Sequence, residues 1–306
     1  MITYIIRRIL VSIPILFLVV SLVFFAFQII PGDPARMYAG EQASLEMVEQ
    51  ARKDLELDRP MWEQYASYLG RLSRGDLGKS YITRRPVALE VGNRFWNTVK
   101  LALAATLLST LLGISMGTVS AARREGRWDY LLTVLTLMGI SMPIFWLALL
   151  AMYFFSVQLK VLPTTGNDTW RHYIMPTATL SVYSTAFVTR MTRSTVLEAM
   201  SEDHVRTARA KGLREYMVMT RHVLRNALIP IVTVVGLQFG YMLGGAVVTE
   251  TIFAWPGMGR LLIFGVSQRD IPLVQGTLVI FAAAFVFVNL AVDVIYAFID
   301  PRIRYA

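Results

Sequence analysis

The chain of 306 residues contains no cysteine, only three histidines and few charged residues. Without cysteine, disulfides, thiolate metal sites and cysteine-based catalysis are excluded. Charged residues make up 17% of the chain, whereas a soluble domain typically carries ~25%. Together with 55% hydrophobic residues and a mean hydropathy of +0.50, this shortfall predicts an integral membrane protein.

Six apolar runs come close to the ~20 residues that cross the core of a bilayer. They predict membrane helices over residues 9–30, 98–121, 131–158, 173–192, 228–248 and 273–299. The first run is too long for the apolar core of a signal peptide, and no small-residue cleavage site follows it, so we interpret it as a retained anchor. Pro143 interrupts the third run and predicts a kink there.

Positive charge is concentrated on one side of the predicted membrane. With the N-terminus inside, the internal segments 1–8, 122–130, 190–227 and 300–306 contain 15 basic and 7 acidic residues, whereas the external segment 31–97 contains 10 of each. The internal side therefore carries +8 of the net +9. Because basic loops stay in the cytoplasm, both chain ends are predicted to be cytoplasmic. The charge is explained by topology, and we expect no nucleic-acid partner.

The arrangements that carry enzyme chemistry are also missing. The topology divides His172 from His204 and His222, so a three-histidine metal site is not expected. A phosphate-binding loop ending at Ser80 would need glycine where Ser73 stands, and a strand before it. The sequence thus predicts no catalytic residue, no metal ligand and no cofactor.

The external segment 31–97 is too long for a simple turn and predicts a helical loop. Ser44 can cap a helix that continues to Leu55, and a second helix begins at Pro60 and reaches Leu72. Two interpretations stay open: these helices lie in the membrane interface, or they contact an external partner protein.

Two features inside the spans suggest structural roles. Asp293 is predicted to form an ion pair with Arg190 or Arg193, the alternative being a proton or substrate role. Small residues recur every four positions and predict close helix packing, the alternative being a sliding surface or a solute path. These residues are Gly113 and Gly117 in the second span and Gly236, Gly240 and Gly244 in the fifth.

The internal segment 194–227 is the most unusual part of the chain. A short helix is predicted over residues 204–211, Gly212 stands where a helix C-cap would, and a second helix follows over residues 215–224. The pattern favours a protrusion that docks into a partner. The alternative is a basic loop that fixes topology and touches anionic lipid.

The protruding segment resembles the E-A-A-x-x-x-G signature of ATP-binding-cassette importer permeases. The matching residues are Arg206-Thr207-Ala208-Arg209-Ala210-Lys211-Gly212. Arg206 and Thr207 replace the usual Glu and Ala, and Arg225 stands where a downstream proline is usual, as in the dipeptide, oligopeptide, nickel and glutathione branch. Further resemblance covers most of the chain: residues 31–34, 75–80, 250–259, 293–297 and 300–305. Residues 201–203 and 236–240 look nearest to the glutathione permease type.

The resemblance implies a type I importer permease fold, all-α with six membrane helices, as one domain over residues 1–306. It implies a multi-pass protein of the bacterial inner membrane, with 31–97 periplasmic and 194–227 the cytoplasmic coupling loop. The implied partners are a second homologous permease, two cytoplasmic ATPase subunits that hydrolyse the ATP, and an external solute-binding protein, besides membrane lipid. In that picture, residues 206–212 couple the chain to the ATPases.

The resemblance further implies import of di- or oligopeptides or glutathione. A nickel-chelate permease of the same branch is an alternative. Two others from different classes are an ATP-independent carrier, in which Asp293 would sense ions, and a membrane scaffold without a solute path.

Overall fold

The computed structural model describes residues 2–29, 32–40 and 42–299, and its elements are helices. Residues 1, 30, 31, 41 and 300–306 lie outside the described residues, and with them Pro31 and the carboxyl-terminal motif at 300–305. The helices are α1 (Ile2–Ile29), α2 (Pro34–Ala39), α3 (Leu45–Asp54), α4 (Met61–Ser73), α5 (Val87–Ala122), α6 (Arg127–Ser141), α7 (Ile144–Ala151), α8 (Arg171–Met200), α9 (Asp203–Ala210), α10 (Glu215–Met217), α11 (Leu224–Ile252), α12 (Met258–Ser267) and α13 (Ile271–Ile299).

Four of the predicted membrane spans coincide with helices that are long and apolar enough to cross a bilayer: α1, α5, α11 and α13. The third span is a bent pair, α6 and α7, and α7 continues as a π-helix over Met152–Gln158. The two halves meet at 104°. Met142 is extended just before Pro143, as the steric demand of the proline ring requires. The predicted kink is therefore confirmed, and it is a break in the helix.

The remaining predicted span, 173–192, lies within α8, which is not apolar enough for the same criterion. Hydroxyl side chains cover much of its buried face, and Thr189 Oγ1 donates a hydrogen bond to the carbonyl of Thr185 at 2.7 Å. The buried hydroxyl residues are Thr179, Ser181, Ser184, Thr185, Thr189, Thr192 and Thr195. Because other helices, rather than lipid, cover this face, its composition need not be apolar.

Glycines allow α5 and α8 to pack closely. A Cβ atom added at Gly113 would lie 2.6 Å from Cγ1 of Val188, and one added at Gly117 would lie 2.6 Å from the carbonyl oxygen of Thr189. Both distances are too short for a real side chain. Small residues at these two positions are thus needed for the observed helix spacing.

The glycines of α11 differ from one another. A side chain at Gly236 would collide with Val292 of α13, and a Cβ at Gly240 would come within 3.2 Å of the ring of Phe285. By contrast, nothing lies within 4 Å of the corresponding position at Gly244. The packing interpretation therefore does not hold for Gly244 within this chain, because an open cavity separates this part of α11 from α13.

The two helices predicted after the first span are present as α3 and α4. Ser44 Oγ caps α3 by accepting a hydrogen bond from the backbone N–H of Met47 at 3.3 Å. The ring centroids of Tyr65 on α4 and Phe24 on α1 lie 5.2 Å apart. This contact packs the loop against the first span. Sequence reasoning missed α2, whose N-cap is Asp33.

Candidate functional site

The predicted docking segment contains a short helix, α9, that ends in a Schellman motif. The backbone N–H of Leu213 donates to the carbonyl of Ala208 at 3.4 Å, and that of Gly212 donates to the carbonyl of Arg209 at 2.9 Å. Gly212 has a φ of +75°, a left-handed conformation that glycine adopts without steric cost. The helix and the glycine cap that the sequence predicts here are confirmed.

One face of α9 is built into the protein. Val205 and Ala208 are buried in an apolar cluster that also contains residues of α8, the segment after α10, and the start of α11. The opposite face of α9 is exposed and presents Arg206, Thr207 and Ala210. Of the seven residues 206–212, Ala208 alone is buried, so it supports the docking surface from beneath instead of forming it.

An ion pair closes the turn after α9. Arg209 donates from Nε to Oε2 of Glu215 at 3.1 Å and from NH2 to Oε1 at 2.6 Å. The guanidinium hydrogen bonds hold the pKa of Glu215 below its ordinary value. The pair fixes α10 against the end of α9, while Lys211 between them stays exposed.

The predicted partners of Asp293 are wrong. Its carboxylate lies 3.1 Å from NH2 of Arg8 on α1. Arg193 instead makes a two-pronged contact with Asp129 of α6, with Nε and NH2 each 2.8 Å from a carboxylate oxygen. The reason is helix adjacency: α13 packs beside α1, and α8 packs beside α6.

A buried carboxylate at the far end of α11 escaped the sequence reasoning. Glu250 is 0% exposed and accepts hydrogen bonds from Oγ1 of Thr98 at 2.6 Å, from the N–H of Gly259 at 2.7 Å and from the N–H of Arg260 at 3.2 Å. A Cβ atom added at Gly257 would collide with its carboxylate, and one added at Gly259 would collide with the backbone of Val247. Glu250 therefore holds the first turn of α12 against α5 and α11.

A second buried carboxylate, Asp270, fastens another loop in the same way. It accepts hydrogen bonds from the hydroxyl of Ser80 and from the N–H of Tyr81, the latter at 3.0 Å. Burial, followed by the neighbouring charge of Asp270, raises the pKa of Tyr81 to about 12. The segment 78–86 is thus held against the start of α13.

The sequence did contain a signal for these two sites. Ser80 and the segment 250–259 belong to the motifs that carry the family resemblance, although their roles could not be read from it. The structure pairs Ser80 with Asp270 and Glu250 with Thr98, across separations of 190 and 152 residues. Contacts between residues so far apart in the chain cannot be predicted from the local periodicity of hydrophobic residues.

Comparison with known families accounts for nearly the whole chain. Residues 109–305 match the family described as the binding-protein-dependent transport system inner membrane component. Residues 1–102 match the N-terminal membrane component of the same systems. The two matches leave only a few residues of α5 between them.

Curated relatives and solved structures agree with that assignment. The glutathione transport system permease proteins GsiC of Escherichia coli K12 and Pectobacterium atrosepticum are each 45% identical to this chain, and each alignment covers 100% of both chains. An inward-facing MetNI methionine ABC transporter structure has a TM-score of 0.59 at 17% identity, covering 69% of this chain and 96% of the other. An amino acid ABC transporter structure has a TM-score of 0.52 at 17% identity, covering 70% of this chain and 94% of the other. The chain therefore belongs to the family of inner membrane components of binding-protein-dependent transport systems.

Proposed function

We propose that this chain is a permease subunit of an ATP-driven importer that carries glutathione or short peptides into the cytoplasm. The observation that supports this solute class is the 45% identity, over the full length, to permeases named for glutathione transport. The fold neighbours are named for methionine and amino acid transporters, and they support the architecture alone.

The assembly that we propose has the whole chain, 1–306, as one membrane domain paired with a second homologous permease and surrounded by lipid. The loop 194–227 faces the cytoplasm, as do both chain ends, and its residues 206–212 bind one of two ATPase subunits. The loop 31–97 faces the periplasm, where an external solute-binding protein docks. The charge asymmetry between these loops supports this orientation.

The exposed face of α9 is the surface that we assign to the ATPase, with the side chains of residues 206, 207, 209, 210 and 211 and the Gly212 turn. Val205 and Ala208 connect this face to α8 and α11, because all three helices share one buried cluster. A force applied to α9 would therefore move two long helices together. ATP changes the state of the membrane domain only if α9 binds the ATPase differently before and after ATP binding.

A charge reversal on the exposed face of α9 tests this role. In the reconstituted complex, Arg206→Glu is expected to reduce ATP-dependent glutathione uptake about 10-fold or more, because the ATPase of this chain would meet a carboxylate where it now receives an arginine. The matched control is Arg127→Glu, an exposed arginine on the same predicted side of the membrane but outside the coupling loop.

Uptake and ATPase binding are measured for both variants, with peptide and nickel-chelate substrates run in parallel. Equal uptake by the Arg206 variant and the control would contradict the coupling assignment. Uptake without any ATPase subunit would favour the independent carrier. Preference for a nickel chelate over glutathione would retain the coupling role and reject the solute.

A further inference from the structure

A cavity of about 530 Å³ lies between α9 and the first turn of α11, and basic side chains line it. We name it the basic pocket. It is formed by His204, Arg221, His222, Arg225 and Asn226. None of these belongs to the segment 206–212 that we assign to the ATPase contact.

The two arginines of the basic pocket lack an acidic counterpart among the described residues. Neither Arg221 nor Arg225 makes an ion pair with any carboxylate in the described part of the chain. The nearby carboxylate of Glu202 contacts Nδ1 of His204 at 2.9 Å. Like charges four residues apart on a helix repel each other, so a bound anion would stabilise this arrangement.

The backbone of the basic pocket is also unusual. Val218–Val223, which includes Arg221 and His222, is a π-helix inserted between α10 and α11. Such segments are rare and are frequently found at functional sites. On the α9 side, Nε2 of His204 lies 3.1 Å from Nδ2 of Asn226, so that α9 and α11 meet at the pocket.

The position of the basic pocket along α11 favours a lipid as the source of the anion. The apolar part of α11 begins at Pro230, five residues after Arg225. With α11 along the membrane normal and 1.5 Å per residue, the Arg225 backbone lies roughly 7–8 Å beyond the hydrocarbon boundary, at the outer edge of the headgroup layer. The long arginine side chains can extend from there toward the level of the lipid phosphates.

We propose that the basic pocket binds the phosphate group of an anionic phospholipid. The phosphate lies between the guanidinium groups of Arg221 and Arg225. Its contact with His204 connects α9 to α11 at the membrane surface. The site depends on α11 crossing the membrane, not on the solute or on the ATPase contact. A result that contradicts the proposed function would therefore not contradict this lipid site.

The test measures lipid binding by the purified transporter complex in detergent. Phosphatidylglycerol is titrated and its retention is followed by native mass spectrometry, with phosphatidylcholine as the uncharged reference. The double variant Arg221→Gln/Arg225→Gln is expected to bind phosphatidylglycerol about 30-fold more weakly, because two arginines near the lipid surface are lost. The variant Arg221→Lys/Arg225→Lys retains both charges and should stay within about 3-fold of the original.

The matched control is Arg124→Gln/Arg127→Gln, which removes the same charge from the connection between α5 and α6 on the same predicted side. An equal loss of affinity in the control would mean general surface attraction and would overturn the pocket. Unchanged affinity in the Arg221→Gln/Arg225→Gln variant would also overturn it. Displacement of the lipid by millimolar inorganic phosphate would reassign the site to a soluble anion and overturn the lipid proposal.

Discussion

The two ends of α11 use charged side chains in opposite ways. At its end, Glu250 is fully buried and accepts three hydrogen bonds that hold neighbouring loops, and Asp270 does the same nearby. At its start, Arg221 and Arg225 are exposed. A buried and satisfied carboxylate fixes the chain to itself, whereas exposed cations remain available to other molecules. The end of α11 is therefore held by hydrogen bonds within the chain, whereas its start is available to bind partners.

The largest effect on this comparison is expected from Glu250→Ala. Removing the carboxylate leaves the hydroxyl of Thr98 and the N–H groups of Gly259 and Arg260 buried without their acceptor. The free energy of unfolding should fall by about 3 kcal/mol or more. The midpoint of unfolding in a detergent titration with sodium dodecyl sulfate measures this.

The control for that measurement is Glu49→Ala, since Glu49 is exposed on α3. We expect it to change the free energy of unfolding by less than about 0.5 kcal/mol. If Glu250→Ala and Glu49→Ala unfold at the same midpoint, the buried carboxylate of Glu250 does not stabilise the end of α11.

A smaller effect is expected at the cap of α9. Gly212→Ala places a side chain on a residue with a φ of +75° and should cost about 1 kcal/mol, although the space around it is open. Gly70→Ala is the matched change inside α4, where the surroundings are equally open and the backbone is helical, and it should stabilise by about 0.5–1 kcal/mol. The two midpoints, measured side by side, should move in opposite directions. Movement in the same direction would argue against a cap that depends on left-handed backbone.

The smallest effect concerns the Arg209–Glu215 ion pair and pH. Because the pKa of Glu215 is lowered in the folded chain, its stabilisation is present above the ordinary value of 4.5 and is lost as pH falls through the lowered value. Both side chains are largely exposed, so the change should be only a few tenths of a kcal/mol. Hydrogen-exchange protection of α10, corrected for intrinsic rates between pH 6 and 3.5, would report it. The variant Glu215→Gln should lose the pH dependence, and retention of it would assign the effect to another group.

Local features of the candidate site were predictable, whereas its supporting contacts were not. The helix after residue 203 and its glycine cap follow from capping and spacing within a few residues. The second helix, predicted over residues 215–224, is α-helical only over Glu215–Met217 and continues as a π-helix into α11. That Ala208 faces inward depends on the cluster formed with α8 and α11. Asp293 shows the limit most clearly, because the sequence predicts an ion pair with an arginine, whereas only the packing of α13 beside α1 makes Arg8 its partner.

The sequence alone determined the membrane class, the positions of the long helices and the break at Pro143, because each depends on the composition of neighbouring residues. Only the tertiary structure decided that the hydroxyl-rich face of α8 is buried and that Gly244 faces open space. It also decided that Glu250 meets Thr98. Such contacts join residues far apart in the chain, and they arise from the way helices pack together, which local hydrophobic periodicity does not specify.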